Sequence, residues 1–186
     1  PELLSKPAIA IVGTRKASNL GQAVAKKIAC DLSNAGFVIV SGLAMGIDTA
    51  AHLGALEGSG NTIAIMATSI ETTYPPRNLG LRNRIEEQGC VVSELQNQDI
   101  PFKYLFPKRN RLVAGLVSGV VVIESPVKSG SLITAKLALD YNREVFAVPG
   151  PVDNANWSGS HKLIKEGAHL VDNAEDILSL FGKTSN

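Results

Sequence analysis

The chain has 186 residues, of which 45% are hydrophobic and 19% charged, and its formal net charge at pH 7 is +1. That length supports one sizeable hydrophobic core, while the near-neutral charge disfavours a protein that coats nucleic acid without a defined site. Every apolar run is shorter than the roughly 20 residues that a membrane span needs, and no signal-peptide pattern opens the chain. We therefore expect a cytoplasmic globular protein with no membrane partner. Because the chain starts at Pro1 rather than methionine, we expect it to be part of a longer protein.

Short apolar runs alternate with helical patterns along the whole chain. The spacing predicts strands at 8–12, 37–40, 62–66, 91–93, 120–124, 145–148 and 168–171. Between them, apolar residues recur at helical spacing, as in the stretch of 25–32 that Gly36 ends. Near-continuous Val/Ile strands separated by helices are typical of a parallel sheet covered on both faces. We predict an α/β, doubly wound, mostly parallel, extended Rossmann-like domain over 1–182, followed by a flexible tail at 183–186.

Three of these strands run directly into turns of small and hydroxyl residues, at 13–18, 41–46 and 125–131. In a parallel sheet such turns meet at the carboxyl edge, where unpaired N–H groups and the helix dipole favour an anion. Arg15 and Lys128 add a cation beside two of the turns, which points to phosphate. The candidate phosphate-binding residues are Gly13, Thr14, Arg15, Ser18, Gly42, Gly46, Lys128, Ser129, Gly130 and Ser131.

The fingerprints of nucleotide cofactors are missing from these turns. The first turn lacks the G-x-G-x-x-G and Walker A patterns, and the second strand ends in Ser41 rather than in an acidic residue that would hold a ribose. The sequence also shows no nucleophile–base pair, paired carboxylates or metal-ligand spacing. We therefore expect no cofactor and no enzymatic activity. Asp48 is expected to cap the following helix, and His52 to be a core or surface histidine.

A basic segment precedes the helical pattern at 112–116. Residues 101–145 carry seven Lys and Arg against three Asp and Glu. Cations at a helix start oppose the dipole, so Lys108, Arg109 and Arg111 are candidate contacts to an anion. The rings upstream, Phe102, Tyr104 and Phe106, could stack bases of a single strand, or each could anchor the core. Glu124 could orient Lys128 or Arg109 through an ion pair.

Several motifs together resemble one family. They are VGTR at 12–15, SGLAMGID at 41–48, YP at 74–75, SE at 93–94, FPKRNR at 106–111, KSGSLITA at 128–135 and PG at 149–150. In this order they resemble the bacterial DNA-processing protein A (Smf) family. The resemblance implies single-stranded DNA binding, homodimerisation, protection of incoming DNA, and help in loading the RecA recombinase during natural transformation. It places phosphate contacts on Gly13, Thr14, Arg15 and Lys128, with the motif at 109–111 near the same pocket.

Two other functions stay open at this point. Phosphoribohydrolases acting on nucleoside monophosphates have Rossmann-like folds, but their P-G-G-x-G-T turn has only Pro149-Gly150-Pro151 as a counterpart here. A scaffold could instead hold the recombinase or a second subunit through an apolar face. For the homodimer, the apolar C-terminal stretch around Leu178 and Phe181 is the expected surface. The chain departs from the family pattern at Ser69, Glu71 and the loop after Glu94, which affects the predicted shape of those loops.

Overall fold

The computed structural model describes residues 2–95 and 104–182, and the predicted tail at 183–186 lies outside them. Within these residues, seven strands form one fully parallel sheet in the order β4-β3-β2-β1-β5-β6-β7. Every predicted strand is confirmed, and each strand end differs from its prediction by one residue at most. The strands are β1 (Ala8–Gly13), β2 (Val38–Ser41), β3 (Thr62–Ile65), β4 (Cys90–Val92), β5 (Gly119–Ile123), β6 (Glu144–Ala147) and β7 (His169–Leu170).

Helices cover both faces of the sheet, and several begin at side chains suited to capping. Ser18 and Ser129 cap α1 and α5 by accepting from backbone N–H groups of Gly21 and Ser131. Gly36 follows α1 with φ +87°, the left-handed conformation expected of a helix-ending glycine. The helices in the described chain are α1 (Asn19–Asn34), α2 (Ile47–Glu57), α3 (Leu79–Gln88), α4 (Leu105–Gly115), α5 (Gly130–Asp140), α6 (Ser158–Lys165) and α7 (Ala174–Leu180).

The core has two layers because the strands are buried on both faces. Alternate residues of β1 illustrate this, since Ile9 and Ile11 pack with α1, α2 and α7, while Ala10 and Val12 pack with α4 and α5. Leu178 is fully buried in the first layer, and the Phe181 ring packs 5.8 Å from that of Phe37. The predicted dimer surface is therefore wrong for Leu178, which is in the core, whereas Phe181 is half-buried and packs against the core.

The strand order creates one crevice at the carboxyl edge. From β1 the chain proceeds outward through β2, β3 and β4, then returns to the other side of β1 and proceeds outward through β5, β6 and β7. The connections after β1 and β5 therefore diverge to opposite faces, and such a reversal point is where open α/β sheets bind ligands. Among the described helices, none has the length and apolar character that crossing a bilayer requires.

Candidate functional site

A pocket of about 300 Å³ occupies this crevice. The turns after β1, β2 and β5 form its walls together with the start of α4. The turn after β2 thus joins those after β1 and β5, as expected from their shared edge of the sheet. The predicted site residues that line the pocket are Gly13, Thr14, Arg15, Gly42, Arg109, Lys128, Ser129, Gly130 and Ser131.

Two exposed cations, Arg15 and Lys128, enter this pocket from different turns. In the part of the chain that the structure describes, neither forms an ion pair with a carboxylate. The Arg15 guanidinium lies over the Phe106 ring, 4.5 Å from its centroid, and the Tyr74 ring meets Phe106 edge-on at 5.7 Å. Phe106 therefore positions a cation at the pocket.

The alternative that each upstream ring anchors the core is wrong for the two rings described. Phe106 is half-buried in the pocket wall, and Tyr104 is 75% exposed. Phe102 lies outside the described residues. At least one of the three rings thus borders the space that a ligand would enter.

The start of α5 forms another wall of the pocket. The Ser131 hydroxyl lies 2.8 Å from that of Ser125 and 2.7 Å from that of Ser129, so the three hydroxyls form a chain. Gly130 is exposed, and a Cβ there would be in ordinary van der Waals contact with Asn110 Nδ2 at 3.9 Å. The first N–H groups of a helix carry a partial positive charge, so this bare backbone suits a phosphate.

The start of α1, by contrast, already holds an anion of the protein itself. The Glu124 carboxylate is fully buried and accepts from the N–H and hydroxyl of Ser18, each at 2.8 Å. The backbone carbonyl of Glu124 accepts from the Thr14 N–H at 2.9 Å. Ser18 therefore stays outside the pocket lining, with its polar groups engaged by Glu124. The predicted ion pair from Glu124 to Lys128 or Arg109 is wrong, because the carboxylate faces Ser18.

Arg109 is buried rather than presented to solvent. Its Nη1 donates to the carbonyl oxygens of Gly42 at 2.7 Å and Ile65 at 2.5 Å, joining α4 to the ends of β2 and β3. Burial lowers the pKa of Arg109, the negative charge of Asp48 opposes that lowering, and the positive charge of Arg15 adds to it. The Arg109 guanidinium packs directly against Gly42, and a Cβ at that position would overlap it. Arg109 thus holds the pocket wall from within α4, which begins at Leu105, so the prediction that the basic segment precedes the helix is wrong.

Asp48 and Gly46 also have roles inside the protein. Helix α2 begins at Ile47 and Gly46 is its cap residue, so the prediction of Asp48 as the N-cap is wrong. Asp48 Oδ2 instead accepts from the N–H groups of Gly42 at 3.1 Å and Ala44 at 3.3 Å. Burial raises the pKa of Asp48, and the charge of Arg109 opposes this. Gly46 has φ +77° and lies against the carbonyl of Thr14, so it braces the first turn from outside the pocket lining.

His52 is a core histidine, one of the two alternatives that the sequence leaves. Its Nδ1 lies 2.8 Å from the Thr62 hydroxyl, which itself donates to the Ile39 carbonyl. Nδ1 therefore carries the proton, and Nε2 is a buried acceptor that has no partner among the described residues. Burial, and secondarily the charge of Arg109, lowers the pKa of His52 from 6.5 to about 3. The imidazole is therefore neutral at physiological pH.

Of the other residues in the basic motif, Lys108 and Arg111 lie outside the pocket lining, whereas Asn110 lines the pocket. Arg111 forms an ion pair with Glu94, and Lys108 is exposed outside the pocket lining. Asn110, which sequence reasoning passed over between two arginines, lines the pocket and ties its walls together. Its Oδ1 accepts from Arg109 Nε at 3.1 Å, and its Nδ2 donates to the Gly130 carbonyl at 3.3 Å.

This fold and pocket define an extended Rossmann-like α/β protein with two exposed cations at its reversal point and a buried protein carboxylate at the start of its first helix. The family model described as DNA recombination-mediator protein A matches residues 1–182. The chain belongs to this family, and the resemblance found in its motifs is confirmed.

Curated relatives agree with this assignment. The chain is 44% identical to DNA processing protein DprA of Streptococcus pneumoniae over 180 residues, which is 97% of this chain and 64% of that protein. It is 44% identical to Protein Smf of Escherichia coli over 171 residues, 91% of this chain and 46% of that protein. The chain therefore spans less than two thirds of the length of these relatives.

Solved structures share the fold closely. The DprA structure from Streptococcus pneumoniae matches with a TM-score of 0.89 at 44% identity, over 96% of this chain and 62% of that one. The DprA structure from Helicobacter pylori, described for its unique single-stranded DNA binding mode, matches with a TM-score of 0.88 at 31% identity, over 97% of this chain and 82% of that one. A molybdenum cofactor binding protein from Rippkaea orientalis, at 18% identity and a TM-score of 0.67 over 95% of this chain and 96% of that one, shares the fold alone.

Proposed function

We propose that this chain is a single-stranded DNA-binding domain. It binds phosphates of the strand between Arg15, Lys128 and the start of α5. The observation that carries the proposal is the convergence of two exposed cations and the exposed Gly130 backbone at the start of α5 on one pocket. Asp48, the one carboxylate that lines this pocket in the described chain, lies beside buried Arg109. The pocket therefore favours an anion.

A single strand suits the pocket better than a duplex. The phosphates of a duplex lie on a rigid cylinder, whereas a single strand can bend into a concave site and present its bases to side chains. Phe106 offers a ring in the pocket wall, with Tyr74 against its edge. The Helicobacter pylori relative is described as binding single-stranded DNA, which supports the same substrate here.

Arg15 and Lys128 are proposed as direct phosphate contacts, with Ser129, Gly130 and Ser131 supplying backbone and hydroxyl donors. Gly13, Thr14 and Gly42 form the wall that these donors face. Arg109 is proposed as a positioning residue, since its Nη1 is engaged by two carbonyl oxygens. Lys108 and Arg111 lie outside the pocket and would contact only the part of a strand that extends beyond it. Ser18 and Gly46 would affect DNA binding indirectly, by holding the conformation of the turns that line the pocket.

The test is fluorescence anisotropy with labelled single- and double-stranded oligonucleotides. Arg15→Glu and Lys128→Glu are expected to lose most of the affinity for the single strand, while Lys6→Glu keeps it, because Lys6 is exposed ahead of β1 at the opposite edge. Lys128→Gln should reduce the slope of log affinity against log salt by about 0.7, the value for one lost phosphate contact. Equal affinity in all variants would refute the site. Release of free base from a nucleoside monophosphate would favour the phosphoribohydrolase alternative.

The family assignment further supports a role as a recombination mediator. We propose, from the family resemblance, that the domain acts in the cytoplasm on incoming DNA, protects it, and helps load the RecA recombinase as a homodimer. Because Leu178 is fully buried, it is not available to a partner subunit, and a homodimer needs contacts from other residues. Light scattering that shows a monomer at micromolar concentration would contradict the homodimer.

A further inference from the structure

Glu124 is the residue at which the two cation-bearing turns of the pocket meet. It directly follows β5, whose end lies beside the end of β1, since Ile123 and Gly13 are register partners in the sheet. The turn with Arg15 follows β1, and the turn with Lys128 follows β5. A residue at this point can therefore act on both turns at once.

The backbone of Glu124 adopts a conformation that glutamate seldom adopts. Its φ is +46°, in the left-handed region that favours glycine. Such a conformation persists where the surrounding structure imposes it, and it is concentrated at functional sites. The side chain is also fully buried, although glutamate is rarely buried unless it is paired. Both observations indicate that a specific set of contacts holds this residue in place.

The contacts of Glu124 fix the first turn at both of its ends. Its backbone carbonyl accepts from the Thr14 N–H at 2.9 Å, and its Oε2 accepts from the N–H and the hydroxyl of Ser18, each at 2.8 Å. Arg15 lies between these two anchored residues, one position after Thr14. Because the Arg15 side chain is exposed, the direction in which it leaves the turn depends on the backbone that is held on either side.

Glu124 also acts on the second turn, through the next residue in the chain. Ser125 is fully buried, and its hydroxyl lies 2.8 Å from the Ser131 hydroxyl in the first turn of α5. The Ser131 hydroxyl lies 2.7 Å from that of Ser129, the residue after Lys128. The backbone conformation of Glu124 sets the direction in which the chain enters this group of hydroxyls. Glu124 and Ser125 thus connect the first turn to the start of α5.

We propose that Glu124 is a positioning residue for single-strand binding, which rests on the proposed function of the pocket. Its buried carboxylate and left-handed backbone hold Arg15 and Lys128 at one separation, so that both contact phosphates of the same strand. Groups that are already ordered lose less conformational entropy on binding than groups that must first be fixed. A role through charge alone predicts the opposite sign, because removing a carboxylate beside an anion site would strengthen the binding of phosphate.

The test is fluorescence anisotropy with a labelled oligothymidylate. Glu124→Ala is expected to weaken binding about tenfold and to lower the slope of log affinity against log salt by about 0.7, because one phosphate contact is lost. Glu124→Gln keeps an acceptor oxygen for Ser18 and should bind within about threefold of wild type. The matched control is Leu178→Ala, which destabilises the core outside the pocket lining and should keep full affinity.

A double-mutant cycle distinguishes positioning from general destabilisation. Arg15→Gln is expected to weaken binding about tenfold in wild type but only about twofold in Glu124→Ala, since Arg15 no longer reaches the strand in that background. In Leu178→Ala, Arg15→Gln should keep its full effect. Equal effects of Arg15→Gln in all three backgrounds, or tighter binding by Glu124→Ala, would refute the positioning role while the pocket stands.

Circular dichroism checks that each variant is folded. If Glu124→Ala does not fold, Arg15→Gln is measured in Ser18→Ala, which removes one donor to the Glu124 carboxylate. A reduced effect of Arg15→Gln there supports the positioning role, and an undiminished effect refutes it. If neither Arg15→Gln nor Lys128→Gln weakens binding in the wild-type background, the function of the pocket fails first and the positioning role with it.

Discussion

The Glu124 carboxylate accepts hydrogen bonds from both the backbone N–H and the hydroxyl of Ser18, each at 2.8 Å. In dinucleotide-binding relatives of this architecture, the start of the first helix receives a pyrophosphate. Here a buried side chain from the end of β5 takes that position. The positive end of the α1 dipole is thereby satisfied inside the protein, which leaves the start of α5 as the helix N-terminus proposed to bind an external phosphate.

Removing this carboxylate should destabilise the fold. Glu124→Ala leaves the Ser18 donors without their acceptor, which costs about 1–3 kcal/mol of unfolding free energy. Glu124→Gln keeps an acceptor oxygen and should lose less. The backbone conformation, φ +46°, strains alanine, glutamine and glutamate alike, so the comparison isolates the side chain. Urea unfolding with an unchanged m-value measures the difference. A wild-type midpoint for Glu124→Ala would contradict this role.

Gly21 should be intolerant of a side chain for the same reason. A Cβ there would overlap the Glu124 carboxylate and displace it, so Gly21→Ala is expected to cost about 1–3 kcal/mol in urea unfolding despite alanine's better helix propensity. The matched control is Gly80→Ala in α3, where a Cβ meets open space, and it should gain about 0.4–1 kcal/mol. Equal shifts in the two variants would show that the close approach at Gly21 does not matter.

The buried His52 predicts loss of stability in acid. Because its pKa is lowered from 6.5 to about 3 in the folded protein, unfolding takes up a proton between these values, and stability falls as the pH falls through this window. The slope near the middle should be about 1.4 kcal/mol per pH unit. Unfolding free energies of wild type and His52→Leu, measured from pH 8 to pH 4, should diverge below pH 6.5 by about 1.4 kcal/mol for each pH unit.

The comparison with His52→Leu isolates this histidine, since Asp48 is present in both proteins. The raised pKa of Asp48 acts with the opposite sign, because it stabilises the fold at low pH and loses that effect as the pH rises. Parallel curves for the two proteins would show that His52 does not titrate as its burial demands.

Phe106 should contribute to DNA binding through Arg15. A cation over a ring face at a partly exposed site is worth about 0.5–1 kcal/mol, so Phe106→Leu is expected to weaken single-strand affinity about two- to fivefold. Tyr141→Leu provides an aromatic control at the far end of α5 and should leave affinity unchanged. Anisotropy titrations at one fixed salt concentration measure both. Unchanged single-strand affinity in Phe106→Leu would mean that the contact between the Arg15 guanidinium and the Phe106 ring does not contribute to DNA binding.

Leu178 and Leu180 should differ sharply in their effect on stability. Leu178 is fully buried, so Leu178→Ala is expected to cost about 2–5 kcal/mol, whereas Leu180, 46% exposed on the same helix, should lose well under half of that. Thermal or urea unfolding of the two variants gives the comparison. A similar small loss in both would argue that α7 lies at a subunit surface.

The local pattern of apolar and polar residues was sufficient to predict the parallel sheet and the edge of the sheet at which the candidate site lies. The predicted strand at 120–124 begins with four apolar β-branched residues at 120–123, and such runs are typical of a parallel sheet that is buried on both faces. The turns that follow parallel strands meet at one edge of the sheet, so the sequence alone predicts that Arg15 and Lys128 lie near each other. Their grouping follows from chain order and periodicity alone.

Contacts distant in sequence decided which polar residues face the pocket and which face the protein. Arg109 reaches the carbonyl of Gly42 across 67 positions, and Ser18 reaches Glu124 across 106. In both pairs a buried charged side chain is hydrogen-bonded to a residue that is distant in sequence. A buried charge without such partners would cost the fold too much free energy. Sequence by itself therefore determined the fold and the two cations of the site. Only the tertiary structure decided that one arginine supports the wall and that a glutamate fills the first helix.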